Sequence, residues 1–433
     1  MYRYDNRVVI TLDAGGTNLV FGAMQANKFI VDPITLPSHA ENIDLCLAAM
    51  VKGFQAVIDR LETKPVAISF AFPGPADYPN GIIGGYLPNF PSFRDGVALG
   101  PFLEYKFGIP VFINNDGDLF AYGEALGGAL PDINAKLEAL GSPKRYKNLI
   151  GYTFGTGLGI GVVIDNRLNR GDNSCVETFC LKHKKMPDII VEDGAAIRAI
   201  KRVYGELTGN PNHGLEPKDI CEIADGKREG DREAALKAFA QFGEIAGDAM
   251  ATAVTLIDGL IVIGGGITGA SRHIMPSLLK ELRSKMHTIT GGELNRVQMK
   301  VYDLDDEEEF KQFAKGDQRA LKVYGTDRYV AYDPRRDHFE TRREPRHLGG
   351  CLRIRPEPAR RAKKRITKDV SVQIQTHSQV DALGRRENSA LQADRIRPET
   401  GRRKLGAFGR QGQRVGRGQR RAGRHDPPGA HRP

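Results

Sequence analysis

The chain opens on an apolar run, Val8-Val9-Ile10, set inside a β-rich stretch from Arg7 to Asp13. Gly15-Gly16 then predicts a turn, and Leu19–Met24 predicts a returning strand. From Ile43 to Glu62 the apolar residues Leu47, Met50, Val51, Phe54, Val57, Ile58 and Leu61 recur at helical spacing. Pro65–Phe72 and Val111–Asn114 read as short buried strands, and Leu119–Leu126 as a helix. Leu149–Ile164 repeats the opening theme of strand, glycine-rich turn and strand. A long helix is predicted over Asp231–Leu256. The buried strand Leu260–Ile263 follows, ends in Gly264-Gly265-Gly266 and leads to a helix from Ser271. Strand-turn-strand with helices behind it thus occurs twice, which predicts an α/β fold of two similar lobes with a cleft between them. The lobes are expected at 1–126 and 127–337.

Beyond His338 the pattern stops. Residues 338–433 hold 25 Lys and Arg against 9 Asp and Glu, and Arg, Pro, Gly and Gln dominate. That composition predicts a disordered, Arg-rich tail. The overall charge of +10 is therefore a property of the tail, since 38 basic and 44 acidic residues remain for the body. A mildly acidic body gives no reason to expect nucleic acid there. The five cysteines (46, 175, 180, 221 and 351) show no C-x-x-C spacing and read as reduced thiols. No stretch has the ~18 apolar residues a membrane helix needs, and no signal peptide is expected. A cytoplasmic location and no membrane partner follow as expectations.

Candidate chemistry sits at the turns. In Asp13-Ala-Gly-Gly-Thr-Asn18 the adjacent Gly15 and Gly16 let backbone N–H groups approach an anion, and Thr17 and Asn18 add side-chain donors. Asp13 is suited to hold Mg²⁺ near phosphate oxygens. The same six residues also make a plain hairpin turn. Gly155, Thr156 and Gly157 repeat the arrangement, but a strand follows them, which argues against a dinucleotide fingerprint. Gly264, Gly265 and Gly266 could let a nucleotide lie on bare backbone, or simply turn a strand into a helix. No G-x-x-x-x-G-K-[ST] loop occurs. Asn115-Asp116 follows a strand and precedes a helix, where a carboxylate can serve as a general base or as a helix cap. The acidic run Asp303–Glu309 reads as a solvated helix start or loop.

The joint order of these motifs (double-Gly turn with Asp, Pro-Gly-Pro, Asn-Asp, Gly-Thr-Gly, Gly-Gly-Gly) resembles the ROK family of sugar kinases and sugar-responsive repressors. The resemblance spans about Val8 to Arg336. It implies the two-lobed actin-like ATPase (ribonuclease H-like) fold, with ATP and Mg²⁺ as cofactors and a glucokinase-like transfer to a hexose hydroxyl. On that resemblance Asp13, Gly15, Gly16, Thr17 and Asn18 match the first phosphate loop, and Gly155, Thr156 and Gly157 the second. Gly74 of Phe72-Pro-Gly-Pro75, Asn89 of Leu87-Pro-Asn-Phe90, Asn115 and Glu177 match sugar-binding positions. Asp116 matches the catalytic base and binds the substrate hydroxyl. Asp258 and Gly264–Gly266 match the adenosine side, and Glu124 an acid of catalytic or structural role. The sugar stays open among glucose, N-acetylmannosamine, fructose and allose. A homodimer is compatible with the resemblance.

Three departures bear on this. The family's zinc-binding His and Cys cluster is missing after Glu177, where Thr178-Phe179-Cys180 stands, so no zinc is expected and His183 reads as a surface residue. Asp118 replaces the usual Asn. No helix-turn-helix precedes the first strand, which favours a kinase over a repressor. The family's closing Lys-Leu-Gly segment and apolar helix are also missing, yet a one-base shift of reading frame near Asp337 can regenerate them from His338 to Arg360. The tail therefore reads as out of frame. Two rivals remain: a sugar sensor or inactive kinase lacking its native C-terminal helix, and nucleic-acid binding through Gly409–Arg424.

Overall fold

The computed structural model describes residues 5–26, 28–316 and 319–332. The tail and its frame-shifted reading lie outside the described residues. The first sheet starts from an antiparallel hairpin of β1 (Val9–Ala14) and β2 (Asn18–Gln25), with β3 (Lys28–Phe29) and β4 (Ile34–Pro37) on the far edge of β2. Helix α1 (Ile43–Ile58) leads to β5 (Ala67–Ala71), parallel to β1. A small hairpin, β6 (Ala76–Asp77) with β7 (Ile82–Ile83), then helix α2 (Leu99–Phe107), lead to β8 (Val111–Asn114), parallel to β5. Alternation does the sorting. Ile10, Leu12, Ile68, Phe70 and Ile113 share one core with Cys46, Met50, Phe54 and Val57 of α1 and Leu99 and Leu103 of α2. The helix α1 starts where Asn42 accepts the N–H of Leu45, and it ends at Ile58, short of the expected Glu62.

The second lobe repeats this plan. After α3 (Asp116–Gly127) and α4 (Ala129–Ala139), the hairpin of β9 (Leu149–Phe154) and β10 (Leu158–Ile164) forms a second sheet, edged by β11 (Arg167–Leu168). A short hairpin, β12 (Lys182–His183) with β13 (Met186–Ile190), precedes α5 (Ile197–Thr208), α6 (Pro217–Ala224) and α7 (Arg232–Ile257). Strand β14 (Leu260–Gly264) then pairs parallel with β9, as β5 does with β1, and α8 (Ser271–Leu282) follows. Here the sheet is buried on both faces. Ile150, Tyr152, Ile261 and Ile263 face α5–α8, whereas Leu149, Leu260 and Val262 face Phe120 of α3, Leu130 of α4 and Phe313 of α9 (Glu307–Lys315). Those strands therefore read as continuous apolar runs. Asp306, in the acidic run, caps α9 by accepting the N–H groups of Glu308 and Glu309. Among the described residues no helix is long and apolar enough to cross a membrane.

Helix α3 links the sheets. It leaves the carboxyl end of β8 in the first and lies on β9 and β10 of the second. Glycines allow the approach: a β-carbon on Gly161 would lie 2.4 Å from Gly117 O, and one on Gly151 would lie 2.7 Å from Ala121 Cα. The sequence reading assigns this helix to the first lobe, but its apolar side is part of the second lobe's packing. Propensity along the chain cannot reveal which sheet a helix covers.

Candidate active site

The parallel strands of each sheet end in one row. Register pairs Asp13 with Ala71 and Ala71 with Asn114 in the first sheet, and Thr153 with Gly264 in the second. Loops at such carboxyl edges are where α/β proteins hold ligands. The turn after β1 is closed by Gly15 N–H donating to Asn18 O at 3.0 Å, and Ser38 Oγ donates to Gly16 O. The turn after β9 is closed by Gly155 N–H donating to Gly157 O at 3.1 Å, and Leu158 N–H donates to Glu192 Oε2 at 2.9 Å. Among the described residues the N–H groups of Gly16, Thr17, Thr156 and Gly157 have no acceptor. Two turns thus each present a pair of open donors, the arrangement an anion requires.

The structure gathers the expected residues into two groups, one at the edge of each sheet. A β-carbon on Gly16 would meet Asn89 O at 3.0 Å, so the first turn touches the segment that carries Asn89. Phe72, Phe90 and Phe93 pack with ring centroids 4.6–5.7 Å apart. That cluster anchors both the Gly74 and Asn89 loops. The second turn meets the third glycine run, since a β-carbon on Gly265 would fall 2.3 Å from Phe154 O. Gly264 is buried against the Phe120 ring, and Gly266 opens the short turn into α8.

Asp116 is the first residue of α3. Asn115 caps the helix by accepting the Gly117 N–H at 2.7 Å, and Asp116 Oδ1 shares that donor at 3.1 Å. Gly117 in turn lies against Ile160, three residues past Gly157, so the turn of α3 that carries the exposed Asp116 packs on the strand leaving the second turn. Two further carboxyls act on the same space. Burial pushes Asp118 up to about 7, with Arg170 pulling it down and Asp116 pushing it up. Burial and the charges of Asp118, Asp116 and Glu192 push Glu177 up to about 8. Glu177, 61 residues from Asp116 in sequence, therefore shares its electrostatic environment.

Sequence reasoning missed two members of the site. The buried Tyr78 donates from its hydroxyl to Phe72 O at 3.0 Å, lies near Asn115, and stands where a β-carbon on Gly74 would approach within 2.9 Å. Burial holds the phenol protonated. Arg170 Nη1 donates to Asn114 Oδ1 at 2.7 Å. Neither lies in a motif, so no local signal marks them.

Two readings need correction, those of His183 and Asp258, and of the two roles left open for Glu124 the structural one is seen. His183 is not a surface residue: it is 1% exposed, and its Nδ1 accepts the N–H groups of Lys185 and Met186. The register of the β12–β13 hairpin shifts between Lys182 and His183. Asp258 is not with Gly264–Gly266. It caps the end of α7 with φ 50°, at the opposite end of β14, about 20 Å away at ~3.3 Å per residue. Glu124 is 1% exposed and accepts the Ala129 N–H at 2.7 Å, so it joins α3 to α4 within the fold. Elsewhere, Cys221, Asp225 and His273 bring ligand-type atoms within 4.8 Å of one another, but Arg272 already donates to both Cys221 Sγ and Asp225.

The ROK family model matches residues 9–309. The chain belongs to the ROK family. Its fold is the two-lobed, actin-like ATPase fold of ROK sugar kinases. A solved glucokinase from Parabacteroides distasonis is 53% identical to this ROK chain, with a TM-score of 0.75 over 89% of this chain and 99% of that one. A Thermotoga maritima glucokinase is 26% identical over 308 residues, 63% of this chain and 86% of that protein. A xylose repressor of Bacillus spizizenii is 34% identical over 117 residues, and the match spans about a quarter of each chain (26%).

Proposed function

We propose that this ROK chain is a cytoplasmic, ATP-dependent hexose kinase. The observation that carries the reading is the place of Asp116, an exposed carboxylate at the carboxyl edge of one sheet, on the helix turn that packs against the strand leaving the glycine turn of the other. Likeness to the Parabacteroides distasonis glucokinase supports the same class and makes glucose the first sugar to test. Asp116 takes the proton of the attacking hydroxyl as its oxygen bonds to the γ-phosphorus and the bond to ADP breaks. Gly74, Asn89, Asn115 and Glu177 hold the sugar. The open N–H groups of the two turns receive the phosphates, and Gly264–Gly266 lie against the nucleoside. The open N–H groups suit a polyphosphate, and glycine is required beside them because a side chain at Gly16 would strike Asn89 and one at Gly157 would strike Glu192. Asp13, a hard oxygen donor at the same edge, would hold Mg²⁺, which supplies charge neutralisation at the phosphates when bound.

ADP release with ATP and a hexose panel tests the reading. Turnover of at least one hexose is expected, with a loss of at least about 10³-fold in Asp116→Ala at unchanged stability. An Asp116→Ala protein that phosphorylates at the wild-type rate would refute the role. The repressor likeness favours one second reading, a sugar sensor. Saturable sugar binding without ADP release on any hexose would select it.

A further inference from the structure

Arg170 follows β11 and stands just before Gly171, whose φ of 69° turns the chain. A β-carbon on Gly171 would lie 3.1 Å from Val176 Cγ2, so the loop closes on itself one residue before Glu177. Arg170 and Glu177 are thus the two ends of one closed loop. At its first end Arg170 reaches across to the other lobe, where Nη1 meets Asn114 Oδ1 at 2.7 Å. Asn114 is buried, ends β8 and directly precedes Asn115 and Asp116. Its Nδ2 has no partner among the described residues, so the bond from Arg170 is what holds the amide. The guanidinium also lies within electrostatic reach of Asp118, a carboxyl that is 8% exposed.

We propose that Arg170 is a positioning residue that sets Glu177 opposite Asp116, by tying the 170–177 loop to the end of β8 through Asn114. The inference rests on the sugar-side reading of Asp116 and Glu177.

Hydrogen exchange on the full chain tests the tie without relying on turnover. In Arg170→Ala the amides of residues 171–178 exchange about tenfold faster, those of β9 and α7 keep their wild-type rates, and Arg170→Lys recovers part of the protection. Unchanged exchange at 171–178, or an equal rise across β9 and α7, would overturn the proposal. A kinetic arm adds the chemistry. The KM for the hexose rises about tenfold or more in Arg170→Ala, while the KM for ATP stays within about twofold. A parallel rise in both constants also overturns it. If the wild type phosphorylates no hexose on the panel, the kinase reading fails, and the exchange result still decides the role of Arg170.

Discussion

Gly265 is pressed onto the backbone of Phe154, with 2.3 Å between its would-be β-carbon and the Phe154 carbonyl oxygen. Its φ of 98° lies in the region that side chains avoid. Gly265→Ala therefore combines a backbone clash with dihedral strain. We expect a loss of about 3 kcal/mol or more in urea unfolding. Gly269→Ala, where nothing lies within 4 Å, is the control and should shift stability by less than about 1 kcal/mol.

Tyr78→Phe removes a hydroxyl that donates to Phe72 O and lies near Asn115, while keeping the ring in place. Leaving the buried Phe72 carbonyl short of a bond should cost about 1–2 kcal/mol. If Asn115 contacts the sugar, the KM for the hexose rises and the KM for ATP does not. Unfolding curves and steady-state kinetics separate the two effects.

Asp118 and Glu177 keep their protons in the fold up to about 7 and about 8, above the ordinary 3.8 and 4.5. Between those limits the folded state binds more protons than the unfolded one, so stability must fall as pH rises. The contribution is complete below about pH 4 and gone by about pH 8. Its size is on the order of a few kcal/mol, at ~1.4 kcal/mol per pH unit. The stability of Asp118→Asn and of Glu177→Gln should accordingly depend less on pH between 5 and 8. A wild-type stability that climbs over that range would contradict the placement of both carboxyls.

If the residues past Asp337 are out of frame, a chain recoded from that point should be more stable than this one. Covering even one or two Leu or Phe side chains stabilises by roughly 1.5–3 kcal/mol each. The expected outcome is a higher melting temperature for the recoded protein, together with a frame correction in freshly sequenced DNA. An intact frame in independent DNA would reject the idea.

Much of the architecture could be read from one dimension. Both hairpins, the strand Leu260–Ile263 and the long helix α7 follow from alternation, apolar runs and 3.6-residue spacing, because each depends on residues close in the chain. The glycine turns and Asp116 were legible for the same reason. Contacts between distant segments were not. Nothing local says that Tyr78 would meet Asn115, that Arg170 would hold Asn114, or that His183 would turn inward. Likewise Asp258 and Gly264 are near in sequence, yet an extended strand carries them to opposite ends of the sheet. The chain alone determined its repeated elements and the residue types at their turns, since these are short-range steric and hydrophobic preferences. Only tertiary packing decided which sheet α3 covers and which buried charges share a pocket, since burial and Coulomb forces depend on distance in space.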